Sequence, residues 1–419
     1  KGMKRSPHIK ATNLISILMA TVMIMMLMTG CASGGIFGMG KAASYDLNSI
    51  DKALIDGNQV FAFNIFRQLN REDADKSIFI SPLSISAALA MTYNGAGTST
   101  ARAMAETLQY SGIDIETLNA GYKNLLAYLN NADSNLELNI SNSIWFRKGQ
   151  EIKQEFLSLN QNSFNAYITD LDFQDPKAAD TINSWISKAT KGKIDKMINP
   201  PIPSDVVMYL INAIYFKGRW TEQFDKKLTY TGSFYTEEGQ EKEVQMMNRK
   251  GKVEYGEVEG TKVVRLPYGK GKVAMYCILP NQERNINDFI EEFDIEKWNE
   301  LKENISEKKD VILQLPRFKL EYGIKSLNDS LTALGMGEAF SDTADFSGIR
   351  DGIKISKVLH KAVIEVNEEG SEAAGVTSVI MSGGAATEPT MFIADRPFIF
   401  LIADDETGTI LFMGKLLDV

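Results

Sequence analysis

The sequence predicts an α+β fold, and three observations predict it. Helical periodicity is concentrated early in the chain, and β-type patterning late. From about Asp46 onward there is no linker, internal repeat or low-complexity tract that would divide the chain into regular βα units. Apolar residues make up 44% and charged residues 24%, the balance of a folded, water-exposed protein. A length of 419 residues allows two or three domains. The unbroken patterning argues instead for one large unit over residues 50–419.

The elements follow in chain order. Lys1, Lys4, Arg5 and Lys10 make a basic start, and Leu14 to Met28 is an uncharged, mostly apolar run. That pairing reads as an export signal over residues 1–30, since a membrane span needs about 20 apolar residues. Leu27-Met28-Thr29-Gly30-Cys31 resembles a lipoprotein cleavage site, with Met28 where that pattern prefers Leu, so Cys31 is the expected lipidation site. The alternative is plain secretion with an incidental Cys31. Residues 31–49 are rich in Gly, Ala and Ser at their start and read as a tether.

Val60 to Leu69 has a helical repeat. Ser81-Pro82 caps a helix of small residues running through Met91, expected to be buried. Leu136 to Phe146 alternates as a strand, and Val206 to Phe216 is a longer apolar run suited to a central strand. Ile286 to Leu301 reads as one acidic amphipathic helix. Val311 to Phe318 and Ile353 to Val366 read as strands. Phe398 to Ala403 and Ile410 to Met413 read as a hairpin joined by Asp404-Asp405-Glu406-Thr407-Gly408.

The charge and the rare residues exclude much chemistry. The chain carries 45 Lys+Arg against 54 Asp+Glu, a net charge of −9, which is unsuited to general nucleic-acid binding. There are two histidines, His8 and His360, and two cysteines, Cys31 and Cys277. These residues supply no zinc cluster, disulfide framework or metal site, and no cofactor is expected. Gly95-Ala96-Gly97-Thr98 and Gly269-Lys270-Gly271-Lys272 match no nucleotide fingerprint and read as turns. Cys277 lies in an apolar run and reads as a buried thiol. His360 shares a strand face with Val358, Ala362 and Ile364, which suits a hydrogen-bonded core residue; the other reading is a catalytic base, but no Gly-x-Ser-x-Gly elbow accompanies it.

The segment Glu368 to Thr387 is long, rich in small residues and free of Pro, and it lies between two good strands. As a loop it has the length of a functional one. As a strand, Ser371, Ala373, Gly375, Thr377, Val379 and Met381 would form one small, uncharged row. Composition alone leaves both readings open, together with that of a bland surface loop.

Glu368 to Thr377 resembles the reactive-loop hinge of inhibitory serpins. Ser77 to Ile85, Asn212 to Trp220, Leu359-His360-Lys361-Ala362, Asp395-Arg396-Pro397-Phe398 and Gly408 to Lys415 resemble the same family, in its order and over essentially all of residues 50–419. The resemblance implies a serpin fold: three β-sheets, eight or nine helices, an exposed reactive-centre loop over about 368–390 and a metastable native state. It implies that the protein is not an enzyme but a suicide substrate for a serine protease, with cysteine proteases as a second target class. The cleaved loop would enter a central sheet as a new strand, the behaviour for which general accounts of β-strand addition use this family as their example. Fourteen inserted residues would span roughly 46 Å.

The hinge would comprise Glu368, Glu369, Gly370, Ser371, Glu372, Ala373, Ala374, Gly375, Val376 and Thr377. A polar cluster of Ser81, Ser84, Asn212 and His360 would hold the sheet shut, and Trp220 would mark the point of entry. The scissile bond would be Gly384–Ala385, with Met381–Ser382 and Ala386–Thr387 as alternatives. None offers a basic residue, so an elastase-like or subtilisin-like target is expected. The protein is expected to be monomeric, to bind no nucleic acid, and to meet a membrane only through lipid on Cys31, at a bacterial cell surface. The alternatives are a non-inhibitory serpin acting as a binding module and, more remotely, a hydrolase built on His360.

Overall fold

The structure is a computed structural model of the 419-residue chain and describes Gly2 and residues 45–371 and 389–419. The export signal, Cys31 and the first part of the tether lie outside the described residues. The compact body runs from Ser44 to Val419. Residues 45–49 pack onto it: the Asp46 amide donates to Asn124 Oδ1 and the Tyr45 ring meets Tyr128 edge-on at 5.3 Å.

Nine α-helices are described: α1 (Lys52–Glu72), α2 (Pro82–Tyr93), α3 (Thr98–Leu108), α4 (Ile115–Leu129), α5 (Gln154–Phe164), α6 (Ala178–Ala189), α7 (Ile286–Glu292), α8 (Ile295–Glu303) and the short α9 (Asn328–Leu331). Ser81 caps α2 as its neighbours predict: its backbone is extended, its Oγ accepts from the Ser84 amide at 3.3 Å, and Pro82 takes the first helical position. Eleven of the twelve α2 residues are buried, because small side chains let the helix pack on every side.

The described residues form three sheets. The largest has the order β1 (Ile78–Ile80), β17 (Ile410–Leu416), β16 (Phe398–Asp404), β8 (Val273–Leu279), β7 (Thr261–Tyr268), β6 (Glu241–Val258), β9 (Ser306–Pro316) and β15 (Thr390–Ile393), with β5 (Tyr230–Tyr235) also on β6. The second has the order β11 (Lys325–Ser326), β12 (Lys357–Lys361), β4 (Met208–Arg219), β2 (Leu136–Arg147) and β3 (Tyr167–Leu171), with β14 (Gly370–Ser371) also on β4. The third pairs β10 (Phe318–Glu321) with β13 (Val363–Val366). It prolongs the β11–β12 ladder beyond a break at Ala362.

The apolar run through β4 has a physical cause. Met208, Leu210, Ile214 and Phe216 face the main core, while Tyr209, Ile211 and Ala213 face a second core under α6 formed with Ile182, Ile186 and Trp145. A strand buried on both faces loses the alternation of a half-exposed one. Cys277 is fully buried on β8, and burial pushes its thiol pKa up, so it is an inert core residue. Residues 269–272 form a turn, and residues 95–97 connect two helices, with Thr98 opening α3.

Two sequence expectations are corrected. The acidic stretch at 286–301 is two helices, because Phe293 leaves helical geometry and the Asp294 carboxylate caps α8 by accepting from the Glu296 and Lys297 amides. The strand expected from Ile353 begins at Lys357; residues 353–356 are irregular, with Ser356 Oγ accepting from the Val207 amide.

Candidate functional site

The site is a seam in the second sheet. β12 and β4 pair in parallel from Lys357 opposite Tyr209 to Lys361 opposite Ala213, and there the ladder stops. Beyond Ala362 the chain turns to β10, so β13 and β4 do not pair. Pairing on that side of β4 resumes only at Gly218 and Arg219, which take Ser371 and Gly370 in antiparallel register. A cleft of about 380 Å³ occupies the interval, with Tyr215 and Phe216 on one wall and Lys361, Val363 and Glu365 on the other.

Below the seam, the four residues expected to form a latch are brought together. His360 Nε2 accepts from the Ser81 amide at 3.1 Å, and His360 Nδ1 stands 2.9 Å from Asn212 Oδ1. Those partners require the neutral tautomer with the proton on Nδ1. Burial pushes the His360 pKa down to about 3, in accord with a neutral ring. Asn212 Nδ2 donates to the Ser84 carbonyl at 3.0 Å, to Ser84 Oγ and to Asn142 Oδ1 at 2.6 Å, and Ser81 Oγ donates to the Leu411 carbonyl at 2.7 Å. Every side chain here is at most 3% exposed. His360 has both ring nitrogens engaged and is 1% exposed, so in this arrangement neither nitrogen is free to take a substrate proton.

Above the seam, Glu368 to Ser371 are buried. The rest of the segment expected to form the loop, residues 372–388, lies outside the described residues. The Trp220 amide donates to the Glu369 carbonyl at 3.0 Å, the Phe224 amide to the Glu368 carbonyl at 2.9 Å, and Trp220 Nε1 to the Asn367 carbonyl at 2.9 Å. Burial alone would raise the Glu368 pKa, but Arg317, with Nε 2.8 Å from both carboxylate oxygens, and the Thr229 hydroxyl outweigh it and pull the value down. Glu369 pairs with Lys226. Gly370 has φ +141°, and a Cβ there would lie 2.1 Å from the Gly218 carbonyl oxygen, so only glycine fits this approach to β4. The Trp220 ring stacks on Tyr268 at 4.4 Å between centroids.

Sequence reasoning missed Tyr268, Asn142, Arg317 and Lys226. Each lies far along the chain from its partner, and nothing in its local pattern marks it. Glu372, Ala373, Ala374, Gly375, Val376 and Thr377, the scissile candidates Met381, Ser382, Gly384, Ala385, Ala386 and Thr387, and Cys31 lie outside the described residues.

Comparison with known proteins agrees with this geometry. Residues 56–419 match the family model described as Serpin (serine protease inhibitor). A serpin-like protein of Methanosarcina acetivorans is 34% identical, covering 96% of this chain and 98% of its own. The leukocyte elastase inhibitor of Bos taurus is 36% identical, covering 86% and 97%. Among solved structures, the thermophilic serpin tengpin in the native state superposes with a TM-score of 0.81 at 34% identity, covering 90% of this chain and 96% of that one. Thyroxine-binding globulin in complex with thyroxine gives 0.79 at 29%, covering 88% and 98%.

Proposed function

This chain belongs to the serpin family, and we propose that it is an inhibitory member, a suicide substrate for an elastase-like or subtilisin-like serine protease. The observation that carries the reading is the pairing of Gly370 and Ser371 with the top of β4 above an open seam. Extending that register sets Ala373 opposite Phe216, Gly375 opposite Ile214 and Thr377 opposite Asn212, all on the core side of the sheet. Small side chains are what a new strand needs in that row. Met381 then falls opposite Met208, the first residue of β4 and the far end of the strand from Gly370. An acyl bond at Met381–Ser382 would leave no tether beyond the strand, whereas one at Gly384–Ala385 leaves three residues.

In this reading the protease serine attacks the Gly384 carbonyl, the chain from Ala385 leaves as the amine, and Gly384 stays esterified to the enzyme. Residues 372–381 then enter along β4, first in the gap beside β13 and then between β4 and β12, breaking that ladder and parting His360 from Asn212. The paired strand from 370 to 381 is about 40 Å long at ~3.3 Å per residue, and the captive protease is drawn along it before water deacylates it. We further read residues 1–30 as an export signal and Cys31 as lipid-anchored, which sets a monomeric inhibitor at a cell surface.

The test incubates the chain with elastase and with subtilisin. The expected result is an SDS-stable complex and a released peptide beginning at Ala385. Cleavage without a stable complex would sink the inhibitory reading and favour a binding module.

A further inference from the structure

Arg249 lies on β6, in the largest sheet, but its guanidinium serves another part of the molecule. Its side chain is only 12% exposed. Nη1 donates to the Glu222 carbonyl at 2.8 Å and stands 3.3 Å from the Glu222 carboxylate, and the guanidinium lies over the Phe224 ring, 5.4 Å from its centroid. Nε finds no partner among the described residues. Burying a charge with one of its donors unpaired is costly.

The Glu222–Phe224 stretch it holds belongs to the segment that grips the hinge. The Trp220 amide binds the Glu369 carbonyl, the Phe224 amide binds the Glu368 carbonyl, and Lys226 pairs with Glu369. On the other side, Arg249 lies opposite Leu313 of β9, and Leu313 lies opposite Phe392 of β15, the strand that follows the loop. One cross-strand row therefore links the strand after the loop to the clasp before it.

We propose that Arg249 is a positioning residue for the loop: it braces Glu222–Phe224 from the sheet that carries the loop's downstream end, so that both ends are held on one scaffold. A planar guanidinium suits the task because it stacks on Phe224 while donating to Glu222, which a lysine ammonium does less well. The inference rests on the inhibitory reading for its effect on trapping, and on the geometry alone for its effect on the hinge.

The test uses the full chain with Arg249→Met and Arg249→Lys. Two quantities are measured: the molar ratio of inhibitor to elastase needed for complete inhibition, and hydrogen exchange over residues 367–371 and 208–213. The Met variant is expected to raise the ratio at least ~3-fold and to speed exchange over 367–371 by about tenfold, leaving 208–213 unchanged. The Lys variant should fall between Met and wild type. A Met variant at wild-type values, a Lys variant at wild-type values, or faster exchange in both segments alike overturns the proposal. If wild type traps no protease, the inhibitory reading falls, and the exchange measurement still decides whether Arg249 sets the hinge.

Discussion

Ser371 Oγ lies 2.8 Å from the Tyr268 hydroxyl, and both side chains are at most 1% exposed. This bond fastens the first inward-facing residue of the hinge to the largest sheet, under the ring of Trp220. Tyr268→Phe should leave the Ser371 hydroxyl buried without its partner, at about 1 kcal/mol. The urea midpoint of the variant should fall accordingly, with the denaturant slope unchanged. A midpoint at the wild-type value would mean that the bond contributes nothing.

His360 should make the protein acid-sensitive. Its folded pKa of about 3 lies below the ordinary 6.5, so the unfolded chain binds the extra proton first. The stability it contributes is full above pH 6.5 and is lost as pH falls toward 3, at about 1.4 kcal/mol per unit. His360→Gln keeps one donor and one acceptor but cannot titrate. Thermal unfolding from pH 7 to 4.5 should show a flatter dependence in that variant; identical slopes would remove His360 from the account.

Arg317→Ala should strand the Glu368 carboxylate, whose side chain is 2% exposed. Arg317 is itself 40% exposed, so the cost should be about 2 kcal/mol, below that of breaking a fully buried pair. Arg317 holds the Glu368 pKa low, so in wild type this contribution is present above pH 4.5 and is lost on acidification. The deficit of the variant should therefore shrink below pH 4.5. Adding Glu368→Gln should recover part of it at pH 7, and a double variant weaker than Arg317→Ala would contradict the pairing.

Ala373→Arg places a long charged side chain in the row that would meet Phe216. The variant should be cut by elastase at the wild-type rate and yield no SDS-stable complex. Complexes formed at an unchanged inhibitor-to-protease ratio would refute strand addition as the trapping step.

Where the signal was local, the sequence was readable. The Ser81 cap, the doubly buried β4 and the hairpin at Asp404 follow from neighbouring residues, because caps, period and turns are short-range physics. The latch residues Ser81, Ser84, Asn212 and His360 came only from a resemblance, since no periodicity joins Ser81 to His360. Tyr268, Arg317 and Arg249 escaped both routes. Each is an ordinary residue on or beside a strand, and its meaning comes from a partner that only the tertiary fold supplies. The split between α7 and α8 was missed for another reason: an aspartate cap inside an acidic, helix-favouring run looks like one more acidic residue.

The two-residue pairing of Gly370 and Ser371 with β4 also bears on time. Starting a strand is the slow part of adding one, because chain entropy is lost before contacts repay it. In this chain that start already exists in the resting molecule, in register and clamped by two glutamates. Under the proposed inhibitory reading, what would remain after cleavage is elongation, a zipper running downhill from its first teeth. If the chain traps proteases as proposed, parting the His360–Asn212 bond is the step that would pace this elongation, since no search for register would delay it.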